Sequence, residues 1–272
     1  MKIKMWVKKN RRDLLKILLV FPTIAVKEFT ELLATIMNIE LDGFTSDSGF
    51  YKLYFDMVFS RMMSEGETLQ NCMFNLAPSL VFAILFGVYI YHEINVGSIY
   101  SLIRYRDRGY LFRVYSARLL LFSLIYSFLQ VTIPFVWVEL VVDEAVCMQH
   151  FLILMSAFLA IFSFNFFMVL LVNLFAIKLG SVLGFVCAYG ILLFSFELST
   201  DATYPLLYFL PSEIATRYEM GSDETVWEFF AKNSGQWISL VVMAVYIVVM
   251  LIIGSVWIKR MDVGLEEKEN MV

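Results

Sequence analysis

The chain has 272 residues, 60% of them hydrophobic and only 17% charged, with a mean hydropathy of +0.74 and a formal net charge of −4. Soluble domains carry about a quarter charged residues, so this composition excludes a water-soluble protein. It describes an integral membrane protein, with room for one membrane domain of about six spans and none for a separate catalytic domain. Three cysteines, Cys72, Cys147 and Cys187, do not make a disulfide framework and are read as ordinary buried or interfacial thiols.

Residues 1–12 form a basic arm with Trp6, suited to an anionic membrane surface. The first span is expected over about 14–36. No small-x-small cleavage site follows its apolar part, and Glu28 and Glu31 come soon after, so it reads as a retained signal anchor. Lys16 can snorkel to the interface, Lys27 and Glu31 share one helical face, and Pro22 bends the helix if it lies mid-span. Residues 38–71 are polar and acidic-leaning. Phe50, Tyr51, Leu53, Tyr54, Met57, Val58 and Met62 recur there at helical spacing, which predicts an amphipathic helix covering the spans or a substrate-facing lid.

The second span is expected at about 74–91, with Pro78 in its first turns, and a basic loop at 92–118 follows. The third, about 119–141, is interrupted by Pro134, and Glu139, Asp143 and Glu144 mark its far side as a solvated face. The fourth, about 150–174, is rich in Phe and Met. A hinge at 178–180 leads to the fifth, about 181–198, where Gly184 and Gly190 are expected to permit close helix contact. Residues 199–236 form a second long polar segment. Its apolar patch from Tyr204 to Leu210 stops at Pro211 and is too short to cross a bilayer, so the patch and the following residues, Glu213 among them, are interfacial or re-entrant. The sixth span, about 237–257, ends at Lys259 and Arg260.

Charge fixes the expected topology. With six spans, the basic arm, the Arg-rich loop, Lys178 and Lys259–Arg260 fall on one side, and the acidic stretches fall on the other. The positive-inside rule then places both termini in the cytoplasm.

Chemistry is sparse. His92 and His150 are expected at opposite faces and belong to no metal-ligand pattern, and no serine in a span has a histidine neighbour. No phosphate-binding GxxxxGK[ST] loop occurs, so any ATP-driven function needs a separate nucleotide-binding chain. The basic residues lie in loops rather than in an aromatic-lined groove, which excludes nucleic-acid binding. Intramembrane charge is too poor for a proton- or sodium-coupled carrier or a hydrophilic pore, but an amphipathic cargo is compatible.

Attention therefore falls on 92–118. Glu93 precedes Gly97 and Ser98, then an apolar strip of Ile99, Leu102 and Ile103, then Arg104, Arg106 and Arg108, with Arg113 and Arg118 leading into the third span. A helix of this kind lies on the membrane surface or seats in a groove of a cytoplasmic subunit. Glu93, Gly97, Ser98, Leu102 and Arg118 resemble the first cytoplasmic loop of ABC-2 type ATP-binding-cassette permeases, and the layout of spans and long segments is similar over most of the chain. The stretch from Ile103 to Arg108 replaces the usual leucine-rich, proline-containing stretch and looks like the permeases of bacterial peptide-antibiotic export or immunity loci.

The resemblance implies an all-α exporter fold with six transmembrane helices, multi-pass in the bacterial cytoplasmic membrane. It implies a coupling helix at about 94–103 that docks on an ATPase through Glu93, Asn95, Gly97, Ser98, Leu102 and Ile103. Arg104, Arg106, Arg108, Arg113 and Arg118 would anchor the loop to the membrane, and Tyr204, Leu210, Pro211 and Glu213 would lie in a re-entrant or external helix. The expected partners are a cytoplasmic ABC ATPase, a second identical or related permease and membrane lipids. ATP and magnesium would belong to the ATPase, with no cofactor and no enzymatic activity on this chain. The competing reading is a membrane sensor or immunity protein that binds a peptide through 38–71 and 199–236 without moving it.

Overall fold

A computed structural model describes residues 15–16, 54, 58, 77–95, 108–142, 148–201 and 234–260. They form helices α1 (Ala77–Phe86), α2 (Tyr89–Asn95), α3 (Arg108–Val142), α4 (Met148–Leu179), α5 (Ser181–Asp201) and α6 (Ser234–Arg260). Among the described residues, four runs are long and apolar enough to cross a membrane: Ala77–Ile94, which joins α1 to α2, Gly109–Leu140, Phe151–Leu179 and Trp237–Lys259. Within α5 the apolar stretch is Ser181–Ser195. Helices suit this composition because each backbone donor finds its acceptor within the segment, with no water needed. The chain is an all-α, multi-span membrane protein.

The described helices overlap the stretches read as the second to sixth spans, the apolar part of α5 being shorter than the other four. Of the first, 14–36, only Leu15 and Lys16 fall within the described residues, both helical and exposed. The third span differs at its start. α3 begins at Arg108 because Leu111, Phe112 and Tyr115 carry the helical apolar face one full stretch earlier, all three buried, while Arg113 stays exposed. Pro134 does not interrupt it, and the helix runs on to Val142. Proline leaves the carbonyl four residues back without its helical donor. For Pro134 that carbonyl is that of Gln130; one residue on, the buried Tyr54 hydroxyl donates to the Val131 carbonyl at 3.4 Å, and its ring meets Phe135 edge-on. Tyr54 and Val58 are thus helical residues packed on the bundle; the rest of 38–71 lies outside the described residues.

α4 is the hub and packs against each of the other five helices. Of its span, 61% is buried, against 22% for α6, whose Val241, Val245, Val248 and Ile252 face outward. Against α1 and α2, α3 runs antiparallel and locks through aromatic pairs: Phe82 stacked on Tyr126 at 4.5 Å, Phe86 tilted against Phe122 at 5.2 Å, and Tyr89 edge-on to Tyr115 at 6.3 Å. α4 turns into α5 at Gly180, whose φ of 87° is a left-handed conformation that glycine adopts without steric cost. A Cβ at Gly184 would collide with the Ala176 backbone, so the hairpin closes there as expected. Gly190 does not share that role: no described atom lies within 4 Å of a Cβ built on it, because its face of α5 points away from α4.

These directions bring the basic helix ends together. Gly254 of α6 sits against Phe112 of α3 and Leu174 of α4, and the Lys178 ammonium lies 5.2 Å from the Trp257 ring. Arg118 lies over Tyr115 and Arg113 over Tyr110, at 5.5 and 6.0 Å. Long basic side chains reaching along aromatic rings are the expected arrangement at a membrane surface.

Candidate functional site

The span formed by α1 and α2 is broken in its middle. α1 stops at Phe86, Gly87 and Val88 form a turn, and α2 starts at Tyr89. Rungs survive on either side of the turn: the Gly87 amide donates to the Ala83 carbonyl at 2.6 Å and the His92 amide to the Val88 carbonyl at 2.9 Å. The rung between the Phe86 carbonyl and the Ile90 amide is replaced by a side chain from α4. Asn173 donates Nδ2–H to the Phe86 oxygen at 3.0 Å, and its Oδ1 accepts the Ile90 amide at 2.8 Å. Its second Nδ2 hydrogen goes to Val169 of its own helix at 2.8 Å.

A primary amide offers a donor and an acceptor side by side, so it can stand in for a peptide group within a helix rung. The site is deep, with Phe86, Ile90 and Asn173 all fully buried, and an unpaired backbone group there would be expensive. Gly87 allows the approach. A Cβ on it would lie 2.8 Å from Val172, the residue beside Asn173 on α4. The break is therefore a clamp: α2 is fixed to α4 by its backbone, and through Tyr89 to α3.

α2 carries the expected docking residues toward the loop. His92 is exposed, Glu93 half-buried and Ile94 buried, and Asn95 ends the helix. Gly97, Ser98, Leu102, Ile103, Arg104 and Arg106 lie outside the described residues, as do Tyr204, Leu210, Pro211 and Glu213. Arg108, Arg113 and Arg118 are on the first turns of α3. The Arg113 Nε donates to the Gly109 carbonyl at 3.4 Å. Glu139, expected on a solvated face, is half-buried, and one of its carboxylate oxygens is enclosed with no hydrogen-bond partner. Cys187 is a free, half-buried thiol.

A second polar cluster joins α3 to α4. Asn165 donates to the Ser127 hydroxyl at 2.9 Å and to the Gln130 side-chain oxygen at 3.0 Å, all within the buried core. Its own Oδ1 accepts nothing, and the hydroxyls of Ser123 and Ser116, farther down the same face of α3, are also enclosed without partners. Polar residues buried between membrane helices act as interhelical glue. These residues belong to no charge or metal-ligand pattern in the sequence. Their signal is present in the chain: Asn165 and Asn173 stand in an otherwise apolar run, and eight residues rotate a helix by roughly 80° beyond two turns, so the two amides address different neighbours. Among the described residues no group of His, Cys, Asp and Glu is placed to hold a metal ion.

Compared with family models, curated proteins and solved structures, the chain matches none of them.

Proposed function

We propose that the chain is the membrane permease subunit of an ATP-driven transporter of the ABC-2 type, moving an amphipathic or apolar substrate such as a peptide antibiotic or a lipid-like molecule. The observation that carries the reading is the clamped break. A loop that receives force from a cytoplasmic ATPase needs a rigid connection into the spans. α2 supplies one, since Asn173 ties it to α4 and Tyr89 ties it to α3. Displacement of Glu93 is then passed to two long helices at once, instead of being absorbed by a flexible end. The gathered basic ends face the cytoplasm by the positive-inside rule, on the side where an ATPase docks.

In this reading ATP and magnesium act on the partner, and a second permease copy, identical or related, completes the path. The chain resides in a bacterial cytoplasmic membrane. The apolar, lipid-facing helices and the scarcity of intramembrane charge fit a substrate that partitions into the bilayer better than an ion or a sugar. The test is vectorial movement of a labelled amphipathic peptide or lipid in proteoliposomes containing this chain and an ATPase encoded beside it. ATP-dependent accumulation on one side supports the function. Peptide binding with no movement under ATP would replace it with a sensing or immunity role.

A further inference from the structure

α6 is the least enclosed of the four long described spans, and its outward side chains are chemically uniform. Past Trp237 at its start, every large apolar residue it exposes is Val or Ile, from Ile238 to Val256. On α4 none of the exposed large residues is β-branched, on α3 only Val136 is, and α5 mixes Leu and Phe with Val and Ile. The difference matters in a bilayer. Lipid tails are as apolar as any side chain, so helices associate there through close packing instead of exclusion of water. Val and Ile hold one dominant χ1 rotamer in a helix and lose little freedom when a rigid partner packs on them. The strip is about 27 Å long, close to the ~30 Å of hydrocarbon it crosses.

The same helix forms one wall of a hollow. Val248 and Ile252 of α6 and Leu120 of α3 flank an open groove of about 480 Å³, floored by the buried ring of Phe166 from α4. Val249 and Ile253 lie roughly 100° further round α6, on the side turned away from α3, and both are exposed. The chain thus carries an apolar hollow and, at the same depth beside it, an apolar ridge of stiff side chains.

We infer that α6 pairs with α6 of a second copy of this chain, about a two-fold axis normal to the membrane. Under that symmetry the side of α6 turned away from its own α3 meets the α3 of the other copy. Val249 and Ile253 of each copy then seat in the groove of the other. The contact is isologous, each copy supplying both hollow and ridge, as in closed dimers. Copies inserted in the same orientation bring the two to one depth without adjustment. A fluid lipid tail would cover the strip whatever its side chains were, and gives no reason for exposed Leu, Phe and Met to be missing from it. The pairing makes the second permease of the transport reading an identical chain, and it holds with no ATPase bound.

The test is photobleaching-step counting of the singly labelled full chain in phosphatidylcholine liposomes, from dilute to dense protein, with no ATPase present. The wild type is expected to pass from single to double steps as density rises. Ile252→Trp, at an exposed position on the wall, should fill the groove and raise the density needed for half-pairing by roughly tenfold. Val249→Ala combined with Ile253→Ala, which shortens the ridge and leaves the groove open, should weaken pairing to a similar extent. Val182→Trp, on the outward face of α5, should pair like the wild type and serves as the control for insertion and folding. Single steps at every density in the wild type, or pairing undiminished in both α6 variants, would overturn the proposal. Pairing lost in Val182→Trp and kept in Ile252→Trp would also overturn it, by moving the contact to α5.

Discussion

Asn173 and Asn165 lie on the same helix, are equally buried, and spend their amides differently. Asn173 uses both Nδ2 hydrogens and its oxygen, two of the three bonds going to backbone groups that a broken helix would otherwise orphan. Asn165 uses only its donor side, toward two side chains, and leaves Oδ1 empty. The first is part of the backbone ladder of another span. The second holds two intact helices side by side with unused capacity. A polar residue in a membrane span therefore has a cost of removal set by what it leaves behind more than by how many bonds it makes.

The largest expected effect is at Asn173. Asn173→Leu keeps the volume but leaves the Phe86 carbonyl and Ile90 amide buried and unpaired, at about 1–3 kcal/mol for each group. Denaturation in mixed micelles should show that loss, and the Ile90 amide should exchange with solvent far faster than its neighbours. If Ile90 stays protected in the variant, the rung has closed on itself and the clamp reading fails. Gly87→Val comes next. Its added carbons meet the Ala83 carbonyl and Val172, so α1 must move from α4, and overpacking of this kind costs about 1–3 kcal/mol. The double variant with Asn173→Leu should lose less than the sum, because both act on one contact.

Asn165→Leu should be milder, about 0.6 kcal/mol on average and at most ~1.7 kcal/mol, as for other interhelical hydrogen bonds in bilayers. Removing an acceptor that nothing uses offsets part of the loss. A cost equal to that of Asn173→Leu would erase the distinction between the two amides. Smallest is Gly190→Ala on the open face of α5, expected to change stability by less than ~0.5 kcal/mol, whereas Gly184→Ala must push against the α4 backbone and should cost more.

Much of this architecture was legible in the chain because bilayers read composition directly. Apolar runs bounded by charge gave α3 to α6, and the grouping of Arg113, Lys178 and Lys259 at one end followed from loop charge alone. The start of α3 was harder, since Arg113 and Arg118 look like loop residues until their stems are seen lying along Tyr110 and Tyr115. The break in α1–α2 was not legible. Residues 86–91 continue an apolar pattern with no proline, and the group that stabilises the break comes from 83 residues away. Gly87 is a local mark of close approach, but nothing nearby in the chain announces a rung completed by another helix. Gly190 shows the converse: glycine in a span permits close packing, but only the rotation of the helix decides whether a neighbour is there.

The most direct measurement is isolation of the tagged chain from its native membranes in mild detergent, with ATP hydrolysis assayed on the eluted complex. The expected result is a co-eluting nucleotide-binding ATPase whose recovered activity falls roughly tenfold, equivalent to ~1.4 kcal/mol of binding, when Glu93→Lys is combined with Gly97→Trp. Insertion of the chain should be unchanged in that variant, and Val182→Trp should recover full activity. A wild-type chain that elutes folded and without any ATPase, or a variant that retains full activity, would contradict the assignment of α2 and the loop beyond it as the coupling element.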